Sequence, residues 1–419
     1  TINITGGEIK ATGGVSSASS YTSTDGERLS GAGIGSGSNV SGETEINISS
    51  GTITEATGGQ YGGAGIGSGT YRDGKEKGAV TINITGGTIE KAEGGSNYVP
   101  DSERWYSGAG IGSGLNAGTT TINIKDNAYI ASAKGGQYGG AGIGGSLNSG
   151  KSIINILKGI IGTVTGGQYG AGIGSGWNSA SEVNISGGTL QTVTGGACGA
   201  GIGGGFDGSS SDVTITGGTL QTITGGQYGA GIGSSCFGGP STVNISGNAK
   251  LEDVTGGEDG GAGIGSGYSS SSSVTISGGT VNAAGNKYST SGSSGIGGNS
   301  TDVTISGGNI TATGYGTGAG IGSYDDNSSN ITITGGTITA TGNDKAPAIG
   351  NGSVSISNAD APLDITATAP VANKAIQSSD GKTLDDVIRL KENDTLGLVT
   401  LVESGTYSIS RLFHNGFYA

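Results

Sequence analysis

Two short stretches of this chain carry the same charged core. Asp25-Gly26-Glu27-Arg28 is repeated as Asp101-Ser102-Glu103-Arg104, and the second copy runs straight into Trp105-Tyr106. Paired carboxylates serve glycoside hydrolysis as acid, base or nucleophile, at a separation of ~5 Å for retention or ~6.5–9.5 Å for inversion. Arginine forks grip carboxylate and sulfate groups in two places at once. Flat aromatic rings pack against the C–H faces of sugars. A third charged stretch, Tyr71-Arg72-Asp73-Gly74-Lys75-Glu76-Lys77, falls between the two. Arg28, Arg72, Arg104, Trp105 and Tyr106 are therefore candidates for glycan contact. Asp25, Glu27, Asp101 and Glu103 would be the carboxylates if the protein were an enzyme. The plainer account is that neighbouring Asp, Glu and Arg on solvated loops pair with one another, at little gain in stability. It ranks ahead of glycan binding, and glycan binding ranks ahead of catalysis.

Whether such residues meet depends on what carries them, and here the chain is explicit. The segment from Val183 returns at Val213 with hardly a change, and near-copies begin at Thr1, Glu45, Thr81, Thr121, Ile153, Val243, Val274, Val303 and Ile331. A unit of about thirty residues cannot bury its own apolar face, so it must stack on its neighbours. Within one copy, Val213-Thr214-Ile215-Thr216 alternates apolar and polar residues with the period of a strand. Gly217-Gly218 breaks it, Thr219 to Thr224 reads as a second strand, Gly225-Gly226 makes another corner, and Gly229-Ala230-Gly231-Ile232-Gly233 reads as a third. Three short strands per turn bounded by glycine pairs describe a parallel β-helix. The charged insertions of the first and third copies occupy one template position, and those copies lie ~9–10 Å apart along the stack, so the loops are within reach of each other.

Other features recur with the template. Gln-Tyr pairs at Tyr61, Tyr138, Tyr169 and Tyr228 would align on neighbouring turns, either as an aromatic platform for a sugar chain or as a stack sealing a corner; the second is the simpler reading. Asn47, Asn83, Asn123, Asn155, Asn184 and Asn244 form a polar row that reads as a stabilising side-chain ladder. Regular Thr rows also mark ice-binding solenoids, a third reading that the Asn interruptions and bulky neighbours weaken. Gly-Ala-Gly-Ile-Gly-Ser-Gly lacks the Lys and following helix of a phosphate loop and is structural. Glu258-Asp259 and Asp325-Asp326-Asn327 are weak Ca²⁺ candidates, since two or three ligands do not make a site. His414 has no evident partner for triad or metal chemistry.

Composition narrows the functional classes. A net charge of −13, with 32 acidic and 19 basic residues, disfavours nucleic acid and anionic membranes as partners. The 95 glycines fall at fixed places between Val, Ile, Leu and Thr, which argues for a repeat structure over disorder. Cys198 and Cys236 occupy different template positions, so stacking alone does not pair them, and free thiols are expected unless the loop bearing Cys236 folds back. The chain opens inside a repeat, with neither a leader peptide nor an apolar run of membrane length, so a longer exported polypeptide with further domains is expected.

The units Thr-Ile-Asn-Ile-Thr-Gly-Gly-Thr-Ile and Gly-Ala-Gly-Ile-Gly-Ser-Gly resemble the glycine-rich repeats of secreted or wall-anchored surface proteins of Gram-positive, notably gut, bacteria. The architecture resembles the right-handed β-helix class of pectate lyases, several glycoside hydrolases and adhesin stalks. That resemblance spans residues 1 to about 355 and is specific for fold, not for activity. It implies an all-β, right-handed parallel β-helix of about 11–12 rungs over 1–359, with 360–419 as a C-terminal cap or the start of a following module. The expected function is extracellular adhesion, display or carbohydrate binding, at the cell surface or secreted. The expected partner is a glycan or a host or cell-wall polysaccharide, with no cofactor, no nucleic acid and no membrane insertion. The alternative is a glycoside hydrolase or polysaccharide lyase on the same fold.

Overall fold

A computed structural model describes residues 1–15, 28–72, 75–100, 104–207, 210–289, 291–324, 329–358, 362–370, 375–390, 397–404, 408–414 and 417–418. The chain divides into two compact units, Thr1–Asp212 and Val213–Ala419. Each is a parallel β-solenoid.

In the first unit the alternation written in the sequence becomes an inside and an outside. Val80–Ile84 alternates buried and half-buried residues, and so do Thr120–Ile124 and Ser152–Ile156. Successive turns pair in register, so that Ile46 lies beside Ile82, Ile82 beside Ile122, Ile122 beside Ile154 and Ile154 beside Val183. The second strands stack likewise through Ile53, Ile89, Ile130, Ile161 and Leu190. Each buried aliphatic side chain contributes about 1.5–3 kcal/mol, which offsets the entropy of ordering so much glycine.

The third strand of each turn in this unit is only two residues long, as at Ile66–Gly67 and Ile111–Gly112. Its glycine is imposed by geometry. Gly67 has φ +143°, and a Cβ there would sit 1.8 Å from the carbonyl oxygen of Gly112 in the next turn. At three turns the serine that follows is buried and bonded across turns. Ser36, Ser68 and Ser175 accept backbone N–H groups from Gly69, Gly114 and Gly205 at 3.2, 2.8 and 2.8 Å.

Two ladders run along the outside of this unit. Side-chain hydrogen bonds link Asn47 to Asn3, Asn83 to Asn47, Asn123 to Asn83, Asn155 to Asn123 and Asn184 to Asn155, each Nδ2 donating to the preceding Oδ1 at 2.8–3.1 Å. On the second strands, Lys10, Glu55, Lys91, Glu93 and Lys134 alternate in a chain of ion pairs at 2.8–3.3 Å.

The second unit repeats the same plan. Its third-strand column runs through Ile232, Ile264, Ile296, Ile321, Ile349 and Ile376. Parallel stacking continues beyond residue 360, where the sequence repeat dissolves. Leu363–Ala369 pairs with Gly336–Thr341, and Gly397–Ser404 pairs in turn with Leu363–Ala369. Only then does pairing turn antiparallel, through Ser408–His414 and Phe417–Tyr418. Leu384–Val387 is the one α-helix among the described residues, closed by a capping box between Thr383 and Asp386.

The expectation of free thiols is corrected, because Cys198 and Cys236 are both disulfide-bonded.

Candidate functional site

The insertion in the third copy is a β-hairpin. Ser96–Val99 pairs antiparallel with Arg104–Ser107, setting Tyr98 opposite Trp105 and Asn97 opposite Tyr106. Strand alternation then sends neighbouring side chains to opposite faces. Trp105 remains 38% exposed, whereas Tyr106 is 3% exposed. Trp105 lies between two tyrosines, with ring centroids 4.4 Å from Tyr98 and 4.3 Å from Tyr138.

Beside the hairpin lies a groove of about 390 Å³ lined by Arg28, Leu29, Tyr71, Arg104, Trp105, Tyr106, Leu115, Asn116, Leu147, Asn148, Trp177, Asn178 and Asp207. It lies wholly within the first unit. Tyr106, Leu115 and Leu147 form a buried apolar cluster with Tyr61, and Trp177 packs against it. The polar side is a column from the corners after the third strand. Asn116, Asn148, Asn178 and Asp207 occupy one template position on successive turns, all left-handed with φ of 52–64°. Asn and Asp tolerate that conformation better than bulkier residues. Backbone bonds stack the column, from Asn116 N–H to Leu147 O at 3.0 Å, from Asn148 N–H to Trp177 O at 2.9 Å and from Asn178 N–H to Phe206 O at 3.0 Å. Asn178 Nδ2 also donates to Asn148 Oδ1 at 2.8 Å.

Four of the residues singled out from the sequence, Arg28, Arg104, Trp105 and Tyr106, line this one groove. Arg28 lies over the Tyr61 ring, its guanidinium carbon 5.2 Å from the centroid, and donates to the Tyr61 hydroxyl. The Tyr106 hydroxyl is buried with no hydrogen-bond partner. Arg72 follows Tyr71 at the corner, its backbone N–H bonded to Asn39 Oδ1 at 2.9 Å. Burial raises the pKa of Tyr71 above the ordinary phenol value, so it presents a neutral hydroxyl, donated to Val40 O. The carboxylates Asp25, Glu27, Asp101 and Glu103 lie outside the described residues.

The four tyrosines do not form one simple platform, which corrects the picture of a tyrosine ladder. Their backbones do stack, Tyr169 N–H bonding Tyr138 O at 2.7 Å. Their rings meet different partners. Tyr61 is buried against Tyr106 at 5.2 Å, Tyr138 meets Trp105, and Tyr169 meets Trp177 and Phe206 at 4.9 and 5.1 Å. Tyr228 belongs to the second unit, where it meets Tyr268 at 6.0 Å.

Of the weak Ca²⁺ candidates, Asp325 and Asp326 lie outside the described residues. Asp259 accepts Gln227 Nε2 at 2.8 Å, and among the described residues no three potential ligands gather around it or Glu258. Sequence reasoning missed Leu115, Leu147, Trp177 and the Asn column. The signal was present as Leu-Asn, Leu-Asn and Trp-Asn directly after Ser and Gly residues of three consecutive copies.

Residues 2–38, 46–70, 82–115, 183–206, 213–236, 274–300, 303–323 and 331–353 match the family described as Beta helix repeat, together more than half of the chain. No curated protein and no solved structure matches. This chain belongs to the beta helix repeat family.

Proposed function

We propose that the first unit is a carbohydrate-binding surface, carried by an extracellular solenoid whose task is adhesion or display. The observation that supports this most is the meeting of Trp105, Trp177, Arg28, Arg104 and three asparagines in one groove. Sugars need an apolar ring to cover their C–H face and planar donors and acceptors for their hydroxyls, and this groove supplies both. Hydrolysis requires two carboxyl groups across the scissile bond. The reading rests on the aromatic rings, arginines and amides of the groove rather than on its carboxylates, of which Asp207 is the one among the described residues. Ice binding loses its appeal because the outward amides of the Asn row are spent on one another.

The test is a glycan array followed by titration calorimetry on the best hit. Trp105→Ala is expected to weaken binding at least tenfold, about 1.4 kcal/mol; because the ring also packs on Tyr98 and Tyr138, binding is measured well below the variant's own melting temperature. Tyr106 sits in the core cluster, so Tyr106→Phe, which removes only the hydroxyl, is the informative variant there. Retention of no glycan at all, or equal binding by Trp105→Ala, would refute the reading.

A further inference from the structure

The second unit carries a separate cluster of rings. Tyr228 and Phe237 flank the third strand of one turn, Ile232–Gly233, and Tyr268 follows the third strand of the next, Ile264–Gly265. Backbone bonds hold Tyr268 between the other two, its N–H donating to Tyr228 O at 2.9 Å and its carbonyl accepting from Phe237 N–H at 3.0 Å. The Tyr268 ring meets Tyr228 at 6.0 Å and Phe237 at 5.7 Å, with interplanar angles of 62° and 79°.

Phe237 does little for the fold where it stands. Its side chain is 56% exposed and its backbone is left-handed, with φ 49°. Bulky residues avoid that conformation, and the same corner in other turns carries Asn148, Asn178, Asp207 or Ser269. A side chain that is both sterically disfavoured and exposed contributes little to stability, and such positions concentrate at ligand sites.

Carboxylates complete the cluster. In the turn bearing Tyr268, the Gln-Tyr pair of the template is replaced by Glu258-Asp259. The Tyr268 ring covers the next residue, Gly260, where an added Cβ would lie 3.2 Å from Tyr268 Cδ2. Asp259 Oδ2 accepts Gln227 Nε2 at 2.8 Å, and that nitrogen also reaches the Tyr228 hydroxyl at 3.3 Å. Among the described residues neither carboxylate forms an ion pair. Lys250 of the same turn is taken by Glu252 at 2.6 Å, and Lys287 of the following turn lies over the Tyr288 ring, 5.0 Å from its centroid.

Two properties select the ligand. Rings set steeply to one another do not make the flat platform on which a sugar ring lies, but they suit a rounded group that touches more than one of them. Ring faces attract cations within about 6 Å of their centroids, and carboxylates without a cationic partner attract the same sign of charge. We infer that Tyr228, Phe237 and Tyr268, with Glu258 and Asp259 beside them, bind a small trimethylammonium cation such as choline. A phosphate on the same ligand would face the carboxylates, so the free cation is the ligand rather than a phosphocholine headgroup. This site lies in the second unit and does not depend on the carbohydrate reading of the first.

The test is proton NMR of choline, phosphocholine and dimethylbutanol, the uncharged carbon isostere of choline, each titrated with the full, oxidised chain at constant ionic strength. Binding against ring faces is expected to move the choline methyl signal upfield. Choline should bind at least about tenfold more tightly than the isostere, because the rings and carboxylates act on its charge, and more tightly than phosphocholine. Phe237→Asn installs a residue that other turns carry at this corner. It should leave the melting temperature no lower while weakening choline at least about fivefold. Asp259→Asn keeps an acceptor for Gln227 and should weaken choline at least about threefold. Equal affinity for choline and its isostere, an unshifted methyl signal, or a Phe237→Asn chain that binds choline like wild type would each overturn the assignment. Tighter binding of phosphocholine than of choline would overturn it too.

Discussion

Replacing Asn123 tests whether the outer amide ladder stabilises the first unit. Its Nδ2 donates to Asn83 Oδ1 at 2.8 Å, and its Oδ1 accepts from Asn155 Nδ2 at 2.9 Å. Asn123→Ala removes both bonds and leaves one acceptor and one donor without their partners on a half-buried face. A neutral hydrogen bond contributes about 0.5–1.5 kcal/mol net, and water reaches part of this face, so the expected loss is about 1–2 kcal/mol. Asn3 is exposed and takes part in a single ladder bond, to Asn47. Asn3→Ala should cost less than half as much. Asn123→Asp adds a second, signed expectation. An ionised carboxylate accepts from Asn155 but cannot donate to Asn83, so the variant is destabilised at neutral pH and recovers as the carboxyl protonates, below about pH 4. Since long repeat arrays need not unfold in one step, amide hydrogen exchange of Thr120–Ile124 and its neighbours is the appropriate readout. Equal loss of protection in Asn3→Ala and Asn123→Ala would refute the ladder's contribution. So would an Asn123→Asp variant indifferent to pH relative to wild type.

Two further perturbations probe the interior and the charged exterior. Gly67→Ala would place a methyl 1.8 Å from the Gly112 carbonyl at a φ of +143°, so a loss above about 2 kcal/mol by urea denaturation is expected. Gly42→Ala, with nothing within 4 Å of the added atom, is its near-neutral control. The side-chain bonds from Lys10 and then Lys91 hold the Glu55 carboxyl down to about 2. Its folded pKa is therefore depressed, and the stability it contributes is present above about pH 4.5 and lost as pH falls toward about 2. Glu55→Gln should flatten that part of the acid limb of thermal stability, and an unchanged acid limb would dismiss the ion-pair chain as a contributor.

The fold was legible because its determinants repeat. Alternation in Thr-Ile-Asn-Ile set the inward faces, and the glycine of Ile-Gly announced a close approach between turns. The Asn row was legible for the same reason. The groove was legible only in part. Arg28, Arg104, Trp105 and Tyr106 stood out as departures from the template, whereas residues that belong to it carry no such mark. Leu115, Leu147, Trp177 and the asparagines beside them are of that second kind and passed as scaffold. A corner residue serves both purposes, since its backbone shapes the turn while its side chain faces the groove. The ring directions of Tyr61, Tyr138 and Tyr169 were beyond the repeat, because they depend on which bulky residue the opposing corner supplies.

The hairpin Ser96–Ser107 leaves and re-enters its turn through adjacent glycines, with Gly108 N–H bonded to Gly95 O at 2.9 Å. Gly95 N–H bonds Gly63 O at 2.9 Å on one side, and Gly136 N–H bonds Gly108 O at 2.8 Å on the other. The rungs above and below thus connect as though the excursion were not there. A segment mounted this way interrupts the sequence of its turn without interrupting the stack, while Tyr106 anchors it to the core cluster.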